Sequence, residues 1–194
     1  MSKYILLVNE SMADYSGDEE VEIAKIIDPV MQKDIMYVDY HKHLYKQEGY
    51  HICIHVYEND LGEYPVAVTD DLHRDCLYDQ PGVFLSIMLH EYGHYINGDL
   101  SHASNHGLYD NKGNLISEGI TNDMIREERL RCLREGRVMD CELKADAVAI
   151  SHVGKNTFMR SMDYLIKKRR ERNDAGAQMA ITEFELRKKA AKKH

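Results

Sequence analysis

Between Pro81 and Leu89 the chain is almost continuously apolar, Pro81-Gly82-Val83-Phe84-Leu85-Ser86-Ile87-Met88-Leu89. Proline in the first turn predicts a helix start, and the unbroken apolar run predicts burial on most of its faces. The helix is expected to extend over 81–98. Upstream, His51-Ile52-Cys53-Ile54-His55-Val56-Tyr57 alternates, which puts Ile52, Ile54 and Val56 on one face of a strand and His51, Cys53, His55 and Tyr57 on the other. His51 and His55 are expected to line a solvated face. Further strands are predicted at Tyr4 to Val8, Ile35 to Val38 and Val66 to Thr69, and an amphipathic helix from Asp18 to Ile27, ended by Asp28-Pro29. A polar stretch rich in Gly and Asn predicts a loop over 99–125, followed by helical sequence over 126–194. The pattern as a whole predicts one α+β domain: a sheet-containing part over 1–80, with a small mixed β-sheet packed on the helix at 81–98, then a mainly helical C-terminal half.

Composition narrows this picture. A chain of 194 residues that is 43% hydrophobic is expected to form a single domain with an adequate core. The longest apolar run, Val83 to Leu89, falls far short of the roughly 18 residues that span a bilayer. The start, Met1 to Glu10, lacks the apolar length and the small-residue cleavage site of a signal peptide, so a cytoplasmic protein is expected. Cys53, Cys76, Cys132 and Cys141 are widely spaced with no CxxC, which predicts free thiols rather than a zinc knuckle or redox motif. The net charge is −8, yet from Lys167 to the end ten Lys or Arg face four acids, giving a tail of +6. The simplest expectation is a solvated helical face; nucleic-acid binding is the sharper alternative, and a restraint exerted by the tail on the rest of the chain is a further one. The negative overall charge, the lack of interleaved aromatics in the tail and the absence of a recognition motif argue against nucleic acid as a partner.

Candidate chemistry begins where the apolar helix ends. His90-Glu91-Tyr92-Gly93-His94 is a HExxH motif, the start of a catalytic zinc site. Residues four apart share one helix face, so both imidazoles can reach a single ion while Glu91 points beside it toward a zinc-bound water. A third protein ligand is needed, with a fourth position left open. Metzincins place Gly and then His after the second ligand; here those positions are Asn97 and Leu100, which excludes that class. A downstream helix supplies the alternative. In Asp140-Cys141-Glu142-Leu143-Lys144-Ala145-Asp146-Ala147-Val148-Ala149, Glu142 can bind the metal, and Asp146, one turn on, can accept a hydrogen bond from a ligand His. Glu118, Glu127, Glu128, Glu135 and Asp140 compete as ligands. None has both a downstream Asp and the small residues Ala145, Ala147 and Ala149 that allow two helices to approach closely.

Other polar residues are expected at the surface, among them His102 and His106. Three candidates for stabilising a tetrahedral oxyanion or contacting substrate are Tyr109, His152 and Arg187.

HEYGHYINGD followed by ELKADAVA resembles the HExxH and ExxAD motifs of gluzincin zinc metallopeptidases. The similarity is to the CAAX prenyl protease and HtpX type, to the soluble minigluzincins and to ImmA/IrrE-type peptidases. Asn59 to Leu72 is similar to the strand that precedes the active helix in that group, and the resemblance covers about residues 50–165. It implies one Zn2+ per chain on His90, His94 and Glu142, with Glu91 as general base and a protein or peptide as substrate. The expected function is therefore zinc-dependent cleavage of flexible protein segments. The alternatives are a regulatory or binding protein that keeps the zinc site with little proteolysis, and a DNA-associated protein of a mobile element.

Overall fold

In the computed structural model of the protein the described residues are 5–8, 21–28, 33–40, 52–56, 63–64, 76, 79–97, 116, 119–172 and 176–193. The chain divides into two compact units, Met1–Met88 and Leu89–His194.

The first unit contains strands β1 (Ile5–Val8), β2 (Val21–Asp28), β3 (Lys33–Tyr40), β4 (Ile52–Val56) and β5 (Glu63–Tyr64). They pair in chain order, and every pairing is antiparallel. The expectation of an α+β fold built on a small mixed sheet is thereby corrected: the described residues are mostly helical, and the strands they include form an antiparallel meander. For β2 and β3 the connection explains the direction, since only residues 29–32 join them, whereas a parallel crossover needs about a dozen residues or more. The predicted helix over Asp18 to Ile27 is corrected as well. Its residues from Val21 onward form β2, whose apolar spacing imitates a helix because a register shift between Glu22 and Ala24 leaves Ile23 as an extra residue in the strand. β-branched residues and ladders on both sides decide for the strand. The strand expected at Val66 to Thr69 lies outside the described residues.

Helix α1 (Pro81–Ile96) matches the apolar run. Gln80 O accepts from Val83 N at 2.9 Å and opens its first turn. Every residue from Val83 to Leu89 is buried, and full burial of side chains such as Phe84, Met88 and Leu89 stabilises by roughly 1.5–3 kcal/mol each.

Four helices follow in the second unit: α2 (Asn122–Arg134), α3 (Asp140–Val153), α4 (Lys155–Arg172) and α5 (Ala177–Ala191). Thr121 caps α2, its Oγ1 accepting from Met124 N at 3.3 Å. Gly154, at φ 80°, ends α3 in a conformation that other residues resist, and its N–H donates to Ile150 O at 2.9 Å. α4 buries Phe158, Met162 and Ile166, one turn apart, and packs between α3 and α5. α5 buries Ala177, Glu183, Arg187 and Ala191, so part of the basic tail belongs to the core. A smaller cluster of Cys132, Met139 and Cys141 is covered by Ile116, Ile120, Met124 and Ile125. Cys76, Cys132 and Cys141 are buried and form no disulfide among the described residues. Among the described residues no helix is long and apolar enough to cross a membrane.

Candidate metal centre

His90 and His94 fall on one face of α1 because four residues make slightly more than one turn. Their rings meet edge to face, with centroids 4.7 Å apart and planes at 83°, and their Nε2 atoms lie 3.2 Å apart. Glu142, in the first turn of α3, completes the group. Its Oε2 is 3.3 Å from His90 Nε2, and its Oε1 is 3.9 Å from His94 Nε2. Donors bonded at about 2.0–2.2 Å to a tetrahedral ion are roughly 3.3–3.6 Å apart, so the His90–His94 and His90–Glu142 spacings match such an edge, and the His94–Glu142 spacing is a few tenths of an ångström longer. The three residues can hold a metal ion, and they are the one such group among the described residues.

Close helix contact makes this convergence possible. Gly93, within the HExxH motif, lies against the backbone of Ala145 on α3: a Cβ at Gly93 would stand 2.7 Å from Ala145 Cα and 2.9 Å from its carbonyl oxygen. Ala145 and Ala149 are fully buried, as the small-residue argument requires, whereas Ala147 is exposed.

Behind the ligands lies a buried ionic network. Asp146 Oδ1 is 2.9 Å from His90 Nδ1, and by accepting that N–H it leaves the Nε2 lone pair for the metal. Arg187 Nε donates to Asp146 Oδ2 at 2.9 Å, its Nη2 donates to Asp146 Oδ1, and its Nη1 stands 3.3 Å from Glu142 Oε2. Arg187 Nη2 is also 2.9 Å from His90 Nδ1. A ring N–H and a guanidinium cannot both donate across that contact, so the Arg187 protons go to the carboxylates. Burial opposes the charge on Glu142, but the bonds and charges of His90 and Arg187 overcome it and hold the carboxyl well below the usual range. Asp146 is likewise lowered against burial by Arg187 and His90. Burial and Arg187 push His90 down, yet the hydrogen bonds to Asp146 and Glu142 and the charge of Glu91 prevail, raising it to about 9.

His90, His94, Glu142 and Asp146 are thus brought together as the motif spacing predicts, and Glu91 follows His90 on α1, partly exposed. Arg187, expected as a substrate or oxyanion donor, is only 4% exposed and bonded to Asp146, so it holds the carboxylates instead. His152 stands ten residues beyond Glu142 on α3, roughly 15 Å along the axis, outside the metal-binding group. Tyr109, His102, His106 and Glu118 lie outside the described residues. Of the competing acids, Glu128 and Glu135 pair with Arg131 and Arg137, and Glu127 and Asp140 are exposed. Sequence reasoning missed the Arg129–Glu183 pair, in which Arg129 Nε donates to the buried Glu183 Oε2 at 2.6 Å. The only signal within reach was Glu183 and Arg187 at i, i+4 on an otherwise apolar face. Comparison with protein-family profiles, with curated proteins and with solved structures finds no match for this chain.

Proposed function

We propose that the chain is a zinc-dependent endopeptidase of gluzincin type that hydrolyses peptide bonds in flexible protein segments. The observation that supports this most is that His90 Nε2, His94 Nε2 and the Glu142 carboxylate oxygens stand 3.2, 3.3 and 3.9 Å apart, within reach of one ion. Two imidazoles and a carboxylate also suit iron and other divalent metals. An additional carboxylate, Glu91, beside the site is what hydrolysis requires, and this favours zinc and peptidase chemistry. Zinc held there would lower the pKa of a water toward about 7 and polarise a carbonyl. Glu91 then takes a proton from the attacking water and delivers it to the leaving amine. Asp146 fixes the tautomer and orientation of His90, and Arg187 keeps Asp146 and Glu142 ionised and in place. The resemblance of the two motifs to gluzincin peptidases points to the same roles, and a cytoplasmic protein substrate is part of the proposal.

The test is to incubate zinc-loaded wild-type chain and Glu91→Gln with a disordered protein and to sequence new N-termini. New termini from wild type alone are expected. Equal patterns from the two proteins would mean that the metal serves binding rather than catalysis.

A further inference from the structure

The charges behind the metal centre do not end at Arg187. One turn earlier on α5, Glu183 is 1% exposed. Its Oε2 accepts from Arg129 Nε at 2.6 Å and also pairs with Arg129 Nη2, while its Oε1 has no hydrogen-bond partner among the described residues. A single guanidinium on α2 therefore compensates this buried carboxylate from outside α5, and an uncompensated one would be strongly unfavourable. The Arg129 side chain, 39% exposed, reaches in from the surface to do so. Glu183 shares the buried face of α5 with Arg187. Burial opposes the Arg187 charge, Asp146 and Glu142 favour it most, and Glu183 adds to them. Glu183 itself is raised by burial first and, despite Arg129, by the charge of Glu142.

We propose that Arg129 and Glu183 are positioning residues of the metal centre: their ion pair ties α5 to α2 and so sets the placement at which Arg187 meets Asp146 and Glu142. The inference rests on the metal-site reading above. It differs in sign from simple electrostatics, because removing the positive charge of Arg129 would by itself favour a nearby cation, whereas loosening Arg187 disfavours it.

The experiment titrates Co2+ into the full chain and follows affinity and the visible ligand-field spectrum for wild type, Arg129→Gln, Glu183→Gln, the double variant and Arg131→Gln. Arg131→Gln, on the same helix but paired with Glu128 and Glu135 rather than with Glu183, should bind as wild type. Arg129→Gln is expected to weaken cobalt binding roughly tenfold and to alter the spectrum, by analogy with outer hydrogen-bonding partners of metal ligands. The double variant should be no weaker than Arg129→Gln alone, since both changes act through one pair. Wild-type or tighter binding by Arg129→Gln with an unchanged spectrum, or additive losses in the double variant, overturns the inference. Should Arg129→Gln not fold, Glu183→Gln decides, because Arg129 can then turn to solvent: weaker binding is expected, and wild-type affinity and spectrum overturn the inference. Failure of the wild-type chain to bind cobalt would overturn the metal reading itself, a distinct outcome.

Discussion

Substituting Gly93 by Ala tests whether helix contact, rather than motif spacing alone, builds the metal centre. Inside a helix this exchange ordinarily stabilises by roughly 0.8–1 kcal/mol, because Ala has the higher propensity. Here the new Cβ would stand 2.7 Å from Ala145 Cα, 2.9 Å from its carbonyl oxygen and 3.2 Å from its carbonyl carbon. All three atoms are backbone, so no rotamer relieves the clash. Ordinary contact begins at 3.4 Å, so α1 and α3 must separate by about 0.7 Å at this point. Overpacking of this kind costs typically about 1–3 kcal/mol, which exceeds or cancels the propensity gain. Ala145 adjoins Asp146 and lies three residues after Glu142, so the displacement passes directly to a ligand and to the partner of His90. Metal–donor distances tolerate only about 0.2 Å. Gly93→Ala is therefore expected to weaken zinc binding roughly 10- to 100-fold, the range seen when outer partners of ligands are lost, and not to raise thermal stability. Chelator-competition titration and thermal unfolding read the two effects. A variant that is more stable than wild type and binds zinc with unchanged affinity would refute the argument.

Three further outcomes follow from the same geometry. His90, raised from 6.5 to about 9 in the folded chain, contributes about 3 kcal/mol of metal-free stability that is fully present below pH 6.5 and lost as pH rises through about 9; since zinc must displace that proton, affinity should climb with pH over the same window, and calorimetry in buffers of different ionisation heat should register proton release. Asp146→Asn removes the charged acceptor of the His90 N–H and should reduce zinc affinity about 10- to 100-fold without abolishing binding; a wild-type titration curve would detach Asp146 from the site. Deleting the residues after Asp174 removes α5 with its buried Glu183 and Arg187, so loss of helix content and of metal binding together is expected; a truncated chain that stays folded and cleaves a disordered substrate faster would mean that the tail restrains the site instead.

The group of His90, His94 and Glu142 that could hold a metal ion was legible because its signals are local. Two His at i, i+4 on an apolar helix, and Glu142 and Asp146 at i, i+4 on a second, need only helical periodicity to place their side chains, and Ala145 and Ala149 announced the close approach of the two helices. What joins distant segments was not legible. Arg187 is brought to Asp146 by the packing of α3 on α5, and nothing within several residues of Arg187 marks it as a buried partner rather than one more charge in a basic tail. The pairing of Arg129 with Glu183 is longer still in sequence. In the first unit the error had a different source, since the extra residue Ile23 in β2 broke the two-residue alternation and left a spacing that imitates a helix. The antiparallel pairing of β2 with β3 follows from the four residues that join them, too few for a parallel crossover.

The most direct test of the account is the zinc content per chain, by elemental analysis, of wild type, Glu91→Gln and Glu142→Ala after dialysis against a weak chelator. His90, His94 and Glu142 are predicted to hold one zinc in wild type and in Glu91→Gln, because Glu91 acts on the water and not on the metal, and none is predicted to remain in Glu142→Ala. One full equivalent of zinc in Glu142→Ala, or none in Glu91→Gln, would contradict the assignment of these roles.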